Sequence, residues 1–176
     1  MAAGKRVYII GFMGCGKSTA GKKLAATLGW QFIDLDKEIE LKAGKAIKDI
    51  FSTSGEDFFR ALETETLLGL KTNSDTVIST GGGTPCHRRN MDFMISTGLV
   101  VYIKMTPGQL KNRLEKSIGG RPLMSKISTA ELLKYITDKL SEREEYYLKA
   151  SIIIDGINLD INALSDIVKN NQAGLA

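Results

Sequence analysis

A glycine-rich segment near the start of the chain constrains the possible fold more than any other feature. Residues 11–18 read Gly-Phe-Met-Gly-Cys-Gly-Lys-Ser and match the pattern G-x-x-x-x-G-K-[ST] in full. The segment follows a short β-branched run at residues 7–10 and precedes a helical spacing of apolar residues that ends at Gly29. A strand, this loop and a helix, in that order, predict a phosphate-binding loop.

The residue types in this loop suit a nucleoside triphosphate. Glycines let successive backbone N–H groups turn toward phosphate oxygens, and the N-terminus of the following helix adds a positive field. Lys17 is expected to reach the β- and γ-phosphates, and the Ser18 hydroxyl to bind Mg²⁺. The alternative is a tight strand-to-helix turn, which requires neither the lysine nor the serine. The chain has no guanine-reading N-K-x-D segment and is too short for a motor or helicase ATPase, which leaves a small kinase.

Short apolar runs alternate with helical patterns along the rest of the chain. Strands are predicted at residues 7–10, 31–33, 77–79, 99–103 and 151–154. Helices are predicted at residues 17–28, 39–43, 47–51, 56–70, 87–96, from 107 past 114, 128–150 and 159–168, with Phe58 among the residues available for packing. With no repeat and no linker, this alternation predicts one three-layer α/β/α domain around a central parallel sheet, over residues 1–170, followed by a frayed tail at 171–176.

One segment interrupts the helical patterns. Between Glu115 and Ile127 the sequence Gly119-Gly120-Arg121-Pro122 has no apolar period, which is typical of an exposed, mobile loop. Loops of this kind often close over ligands, so we expect a lid at about residues 115–127.

Two aspartates follow the second predicted strand. If the chain is extended there, Asp34 and Asp36 point the same way, toward the cleft in which open α/β sheets bind ligands. One would hold a water of the magnesium ion and the other an alcohol. The alternative is a helix N-cap followed by an acid in the first turn.

Two further features suit a small polar acceptor. Arg60 and Glu63 are three residues apart on a predicted helix, so an ion pair would hold the guanidinium in one orientation. The alternative is a solvated pair that contributes well under about 1 kcal/mol. Residues 81–83 are all glycine and follow a strand directly, which lets the backbone approach a ligand closely. The alternative there is a simple turn.

Composition excludes several classes of protein. The 176 residues suit one domain, and the contents of 43% apolar and 25% charged residues are close to globular averages. The 24 basic residues outnumber the 20 acidic ones, but they are scattered and lack an aromatic stacking platform, so no nucleic-acid partner is expected. Two cysteines form neither a disulfide framework nor a four-ligand zinc site. No apolar run suits a signal peptide or a membrane span, so we expect a cytoplasmic protein without a membrane partner.

Several motifs occur together along the chain. They are residues 11–19, Phe32-Ile33-Asp34-Leu35-Asp36, Ile50-Phe51 with Gly55-Glu56 and Phe59-Arg60, Gly81-Gly82-Gly83, Arg121-Pro122-Leu123, and Arg143 with Tyr147. In this order and at this spacing they resemble one family, shikimate kinase. The resemblance extends from about Lys5 to Asp155, and the combination of motifs is specific. It implies a P-loop kinase domain similar to nucleoside monophosphate kinases, with a mobile lid, acting as a monomer on ATP and shikimate. The implied reaction transfers the γ-phosphoryl group of ATP to the 3-hydroxyl of shikimate.

The resemblance also implies roles for individual residues. The catalytic residues would be Lys17, Asp36 and Arg121. The contacts to ATP would come from Gly14, Cys15, Gly16, Lys17, Ser18, Thr19, Arg113 and Arg121. The contacts to shikimate would come from Asp36, Arg60, Gly81, Gly82, Gly83 and Arg143. Ser18 would ligate Mg²⁺, and Asp34 would support the metal through water.

Two other functions fit parts of the pattern. One is a different small P-loop kinase, acting on gluconate or on a nucleoside monophosphate, and the other is a non-catalytic nucleotide-binding protein. A nucleotide acceptor needs sites for phosphates and a base, whereas two arginines and paired aspartates suit one carboxylate on a polyhydroxylated ring. Asp155, at the end of an apolar run, is interpreted as a turn residue and not as a metal ligand.

Overall fold

A parallel sheet forms the centre of the protein. The computed structural model describes residues 4–70, 74–117 and 128–173. Within these ranges the sheet has five strands, which are β1 Arg6–Ile10, β2 Gln31–Asp34, β3 Thr76–Ser79, β4 Leu99–Lys104 and β5 Ile152–Asp155. Their order is β2-β3-β1-β4-β5, and every neighbouring pair is parallel.

Helices connect the strands and flank the sheet. They are α1 Lys17–Leu28, α2 Leu35–Ala43, α3 Ile47–Gly69, α4 Asn90–Thr97, α5 Pro107–Ser117, α6 Thr129–Tyr147 and α7 Ile161–Ala173, with a 3₁₀ turn at Thr84–Cys86. Helix α1 packs against β1, β2, β3 and α7, while α4 packs against β4 and α5 against α6. The arrangement confirms the predicted three-layer α/β/α architecture. No helix in the described ranges is long and apolar enough to cross a membrane.

Strand β1 lies in the middle of the sheet. Its residues from Val7 to Ile10 are fully buried, as expected for a parallel strand covered on both faces. Ile9 is in register with Ser79 of β3, and Ser79 is also in register with Asp34 of β2. The carboxyl ends of these strands therefore meet at one edge of the sheet, where open α/β sheets bind ligands.

Several helix boundaries differ from the predicted ones. Helix α2 begins at Leu35, because the Asp34 side chain accepts a hydrogen bond from the backbone N–H of Asp36 and caps the helix. The two predicted helices around residues 47–51 and 56–70 are continuous as α3 except for a break at Gly55, whose φ of 81° is left-handed. Phe58 in α3 is 53% exposed, so its expected packing in the core is wrong.

Two later helices also begin or end elsewhere. The helix predicted at residues 87–96 begins at Asn90, because Arg88 has a left-handed φ of 53° and is not in the helical conformation. Helix α7 begins at Ile161, where the Asp160 carboxylate accepts the backbone N–H groups of residues 162 and 163. It continues to Ala173, three residues into the segment predicted as a tail.

The start of α6 agrees with the sequence pattern. Ser128 and Glu131 form a reciprocal capping box, in which each side chain accepts a hydrogen bond from the backbone N–H of the other residue. The preceding residues 118–127, which include most of the expected lid and Arg121, lie outside the described residues, as do residues 174–176 of the predicted tail.

The close contact between Gly98 and strand β1 generates a stability prediction. A Cβ atom at Gly98 would lie 2.5 Å from the backbone oxygen of Arg6, whereas a Cβ at Gly108, in the first turn of α5, would meet nothing within 4 Å. We expect Gly98→Ala to reduce the free energy of unfolding by about 1–3 kcal/mol through overpacking. Gly108→Ala should instead raise it by up to about 1 kcal/mol through helix propensity. Urea unfolding of both variants measures the difference, and equal effects would contradict it.

Candidate active site

The glycine-rich loop joins β1 to α1 and ends at the helix N-terminus. Gly14 and Gly16 have left-handed φ values of 80° and 95°. A Cβ at Gly14 would also lie 2.8 Å from the Leu114 side chain, so both the backbone conformation and the lack of space favour glycine at this position. Gly16 caps α1 without any side-chain hydrogen bond, an arrangement at a helix N-terminus that suits the binding of an anion.

A cavity of about 350 Å³ opens in front of this loop. Lys17 and Ser18 line it together with Asp36 and the first two glycines of the 81–83 run. The Lys17 ammonium donates to the backbone oxygen of Phe12 at 3.0 Å, which holds it within the loop. Gly14, Gly16 and Thr19 also line this cavity, so the loop residues expected from sequence lie together.

Asp34 connects the loop to the end of β2. Its Oδ2 accepts the Ser18 hydroxyl at 2.8 Å, and its Oδ1 accepts the backbone N–H of Asp36 at 3.2 Å. Ser79 lies 3.2 Å from Ser18, oxygen to oxygen. The extended geometry expected for residues 34–36 is therefore wrong, and the alternative of an N-cap followed by a first-turn acid is correct for the backbone. Both carboxylates nevertheless lie at the carboxyl edge of the sheet, Asp34 on the loop serine and Asp36 on the cavity.

Asp36 has an unusual charge environment. Burial raises the pKa of its carboxyl group from an ordinary 3.8 to about 6, and the neighbouring carboxylates of Asp34, Glu63 and Glu40 contribute in the same direction. Lys17 acts in the opposite direction and lowers this pKa. A carboxylate of this kind accepts a proton more readily than an ordinary aspartate does.

A second cavity, of about 240 Å³, adjoins the first and contains two arginines. Its lining includes Met13, Asp36, Ile47, Phe51, Phe59, Arg60, Glu63, Gly81, Gly82, Gly83 and Arg143. The rings of Phe51 and Phe59 lie 4.5 Å apart, centroid to centroid, and form its apolar wall. Met13, Asp36, Gly81 and Gly82 line both cavities, so the two spaces meet at these residues.

Arg60 is held from two sides. Its Nη1 donates to Glu63 Oε2 at 2.9 Å, and its Nε and Nη2 donate to Glu56 Oε1 at 3.3 and 3.2 Å. The Arg60 side chain is 13% exposed and that of Glu63 is 1% exposed, whereas Glu56 is 61% exposed. The predicted pair of Arg60 with Glu63 is confirmed, but the solvated alternative is wrong because the carboxylate is buried.

The glycine run lies directly against the charged side chains. A Cβ at Gly83 would come within 2.7 Å of the Arg60 guanidinium, and one at Gly81 within 3.0 Å of Asp36 Oδ1. The Arg60 and Asp36 side chains therefore fill the space that a Cβ atom at Gly83 or Gly81 would need. A simple turn would not require glycine at these positions.

Helix α6 brings a second arginine to the same cavity. Arg143 lies with its guanidinium carbon 5.5 Å from the centroid of the Phe12 ring. One turn later, the Tyr147 hydroxyl donates to the backbone oxygen of Gly82 at 2.5 Å. Residues of α6 thus contact both the phosphate loop and the glycine run, although Tyr147 follows Gly82 by 65 residues in sequence.

Arg113 lies on the far side of the phosphate loop. Its Nη1 donates to the backbone oxygen of Cys15 at 2.7 Å and its Nη2 to that of Gly156 at 2.8 Å. A third cavity of about 280 Å³ includes Arg113, Thr19 and the apolar side chain of Ile157 in its lining. Asp155 accepts the backbone N–H of Ile157 at 2.9 Å and is a turn residue, as predicted.

The sequence pattern did not identify every residue that organises this region. The Thr84 hydroxyl donates to Glu63 Oε1 at 2.6 Å, and both side chains are buried. A threonine after three glycines carries no signal for such a contact. In the described ranges no group of three or more His, Cys, Asp or Glu residues could hold a metal ion.

Comparison with known proteins assigns the family. A family model described as shikimate kinase matches residues 13–170. The shikimate kinase of Parabacteroides distasonis is 44% identical over 151 residues, which are 86% of this chain and 87% of that protein. The crystal structure of shikimate kinase from Bacteroides thetaiotaomicron superimposes with a TM-score of 0.86 at 34% identity, covering 96% of this chain and 98% of that one.

A second similar structure is that of a complex. Shikimate kinase from Acinetobacter baumannii, solved in complex with shikimate, superimposes with a TM-score of 0.81 at 31% identity and covers 97% of this chain and 94% of that one. The family model spans most of the phosphate loop, the glycine run and helix α6, since all of these except the first two loop residues lie within residues 13–170. This chain belongs to the shikimate kinase family.

Proposed function

We propose that this protein transfers the γ-phosphoryl group of ATP to the 3-hydroxyl of shikimate and releases ADP and shikimate 3-phosphate. One observation carries the proposal beyond family membership. A cavity in front of the phosphate loop meets a cavity with two arginines, and Asp36 lines both. Phosphoryl transfer requires this arrangement, because donor and acceptor must approach in line across a short distance.

The donor side is formed by the phosphate loop. Lys17, Ser18 and Thr19 at the start of α1 line the first cavity, where the helix N–H groups and the Lys17 ammonium would face the phosphates and neutralise the charge that develops on the transferring group. Arg113 and the third cavity are suited to the adenine end, since the cavity adjoins the loop and its lining includes the apolar side chains of Ile157 and Leu159. Arg121, on the expected lid, would add a positive charge to the phosphates when the lid closes.

Mg²⁺ is the metal that this loop suits. The Ser18 hydroxyl, with the Asp34 carboxylate 2.8 Å away, offers hard oxygen ligands, and Mg²⁺ usually takes one or two protein ligands and completes its shell with water and phosphates. Ser18 would ligate the ion directly and Asp34 through water. When bound, the ion would neutralise charge on the phosphates of ATP.

The acceptor side is formed by the second cavity. Arg60 and Arg143 line it and would bind the carboxylate of shikimate, with the backbone of residues 81–83 against the ring. Asp36 would accept a hydrogen bond from the 3-hydroxyl, orient it toward the γ-phosphate and take its proton as the bond to phosphorus forms. Its raised pKa suits that exchange, because the product carboxylic acid is stabilised by the same burial.

An acceptor survey tests this function. ADP release is measured with ATP, Mg²⁺ and, in turn, shikimate, gluconate, AMP and CMP at equal concentration. We expect release above the background ATPase rate with shikimate alone, and phosphate at the 3-position of the product by NMR. Turnover with gluconate or a nucleotide, and none with shikimate, would refute the proposal and favour another small-molecule kinase.

Asp36→Asn should separate catalysis from nucleotide binding. The amide cannot take the hydroxyl proton, so we expect kcat to fall by about 100-fold or more while the Kd for ATP, measured by calorimetry, changes little. An unchanged kcat would show that Asp36 does not accept the hydroxyl proton.

The same substitution should stabilise the protein near neutral pH. The carboxyl pKa is about 6 in the folded protein and about 3.8 when unfolded. Above pH 6 both states are ionised, and the folded state carries the full cost of the buried charge. Removing the charge should add about 1–3 kcal/mol at pH 7.5, and this gain should disappear below pH 3.8. The exposed Asp92→Asn serves as the control in thermal unfolding and should show no such gain.

Arg60→Ala should weaken acceptor binding selectively. Loss of a charged hydrogen bond contributes about 1.5–3 kcal/mol, so we expect the KM for shikimate to rise by about 10- to 100-fold while the KM for ATP stays constant. Arg60→Lys keeps the charge without the two-pronged geometry and should give an intermediate value. Arg89→Ala removes an exposed arginine before α4 and should leave both constants unchanged. An unchanged KM for shikimate in Arg60→Ala would reject the carboxylate contact.

A further inference from the structure

Thr84 is a fully buried threonine directly after the glycine run. It is 0% exposed, and its hydroxyl donates to Glu63 Oε1 at 2.6 Å. It begins the 3₁₀ turn between β3 and α4, at the carboxyl edge of the sheet. Nothing in the acceptor or donor chemistry described above uses this side chain.

Glu63 connects Thr84 to the substrate-facing arginine. Its carboxylate has two oxygens, and each has a different partner: Oε1 accepts from Thr84 and Oε2 accepts from Arg60 Nη1 at 2.9 Å. Because the carboxylate is 1% exposed, water does not replace either partner readily. The direction of the carboxylate plane, and with it the direction of the guanidinium, therefore depends on where the threonine hydroxyl lies.

The backbone of Thr84 is held on both sides of the side chain. The backbone N–H of Thr84 donates to the Gly81 oxygen at 3.2 Å, and its carbonyl oxygen accepts the Asn90 side-chain amide at 3.0 Å. Asn90 is also fully buried. The threonine is thus anchored at both ends of its residue, by the glycine run and by the start of α4.

The second partner of Arg60 cannot replace this anchor. Glu56 accepts from Arg60 at 3.2 and 3.3 Å but is 61% exposed, and an exposed pair orients a side chain weakly. Gly83 meanwhile lets the guanidinium lie against the backbone, so a small rotation changes where the guanidinium points in the cavity. The buried hydrogen bonds from Thr84 and Arg60 to Glu63 therefore fix the direction of the guanidinium more firmly than the contact with Glu56 does.

We propose that Thr84 is a positioning residue, whose hydroxyl orients the buried Glu63 carboxylate so that Arg60 faces the carboxylate of the acceptor. The proposal rests on the proposed function in assigning that acceptor. It makes the turn after the glycine run part of the acceptor site, although its threonine does not touch substrate. A threonine that merely satisfied a buried charge would influence stability alone.

Three variants separate these possibilities. Thr84→Val keeps the shape and removes the hydroxyl, and Thr84→Ser keeps the hydroxyl. Thr76→Val makes the same change at a fully buried threonine at the opposite end of β3, whose hydroxyl donates to the Ser74 backbone oxygen at 2.8 Å. Thermal unfolding of all three establishes that they are folded under assay conditions and ranks the loss of stability.

Steady-state kinetics provide the first measurement. We expect Thr84→Val to raise the KM for shikimate about tenfold, which is the scale on which an orphaned buried acceptor acts, with the KM for ATP within twofold of the wild type. Thr84→Ser should restore most of the difference, and Thr76→Val should lower the unfolding temperature without changing either KM. Equal increases in both KM values, or no change in either, would overturn the proposal.

An NMR measurement tests the same idea without any substrate. The guanidinium signals of Arg60, assigned by comparison with Arg60→Lys, should show slow rotation in the wild type and in Thr84→Ser, and faster rotation or line broadening in Thr84→Val. Unchanged Arg60 signals in Thr84→Val would refute the positioning role. If the wild type fails to phosphorylate shikimate, the proposed function is wrong, while these spectra still decide whether Thr84 orients Arg60.

Discussion

Because β1 pairs in parallel with β3 on one side and β4 on the other, the phosphate loop leaves the sheet at the same edge as the ends of β2 and β3. A parallel pair places carboxyl ends together, so side chains far apart in sequence meet there. Ser18, Asp34 and Ser79 come from three different elements, and the Ser18 hydroxyl lies within hydrogen-bond distance of both other side chains. The cavity in front of the phosphate loop and the second cavity adjoin each other because the parallel strands end at this edge.

Two carboxylates at this edge of the sheet, Glu63 and Asp36, have different charge environments. Glu63 is buried with a guanidinium on one oxygen and a hydroxyl on the other, so its charge is well compensated. Burial raises the pKa of Asp36, the neighbouring carboxylates raise it further, and Lys17 opposes both effects. The first carboxylate therefore suits a structural role and the second a proton-accepting one, although both are acids in the same cleft. The net charge of +4 says little about this, because the relevant charges are local.

Most of the fold could be predicted from short-range patterns. The phosphate loop, the capping box at Ser128 and the pair of Arg60 with Glu63 all depend on residues within eight positions of one another, where spacing alone determines which groups meet. The prediction failed where one side chain changed the local backbone. Asp34 caps α2 and turns the chain out of the strand, and Asp160 similarly delays the start of α7. Apolar periodicity contains no information about such caps.

The sequence by itself determined the fold class, the phosphate loop and the family resemblance. Apolar periodicity and a glycine pattern involve only residues close together in sequence, so they can be recognised without the tertiary structure. Tertiary structure alone decided that Glu63 is buried, that Thr84 completes its hydrogen bonding and that the pKa of Asp36 is raised. Burial and electrostatic shifts depend on atoms from α1, α2, α3 and the glycine run together. No spacing in the sequence encodes those distances, since they arise only when the parallel sheet brings the elements to one edge.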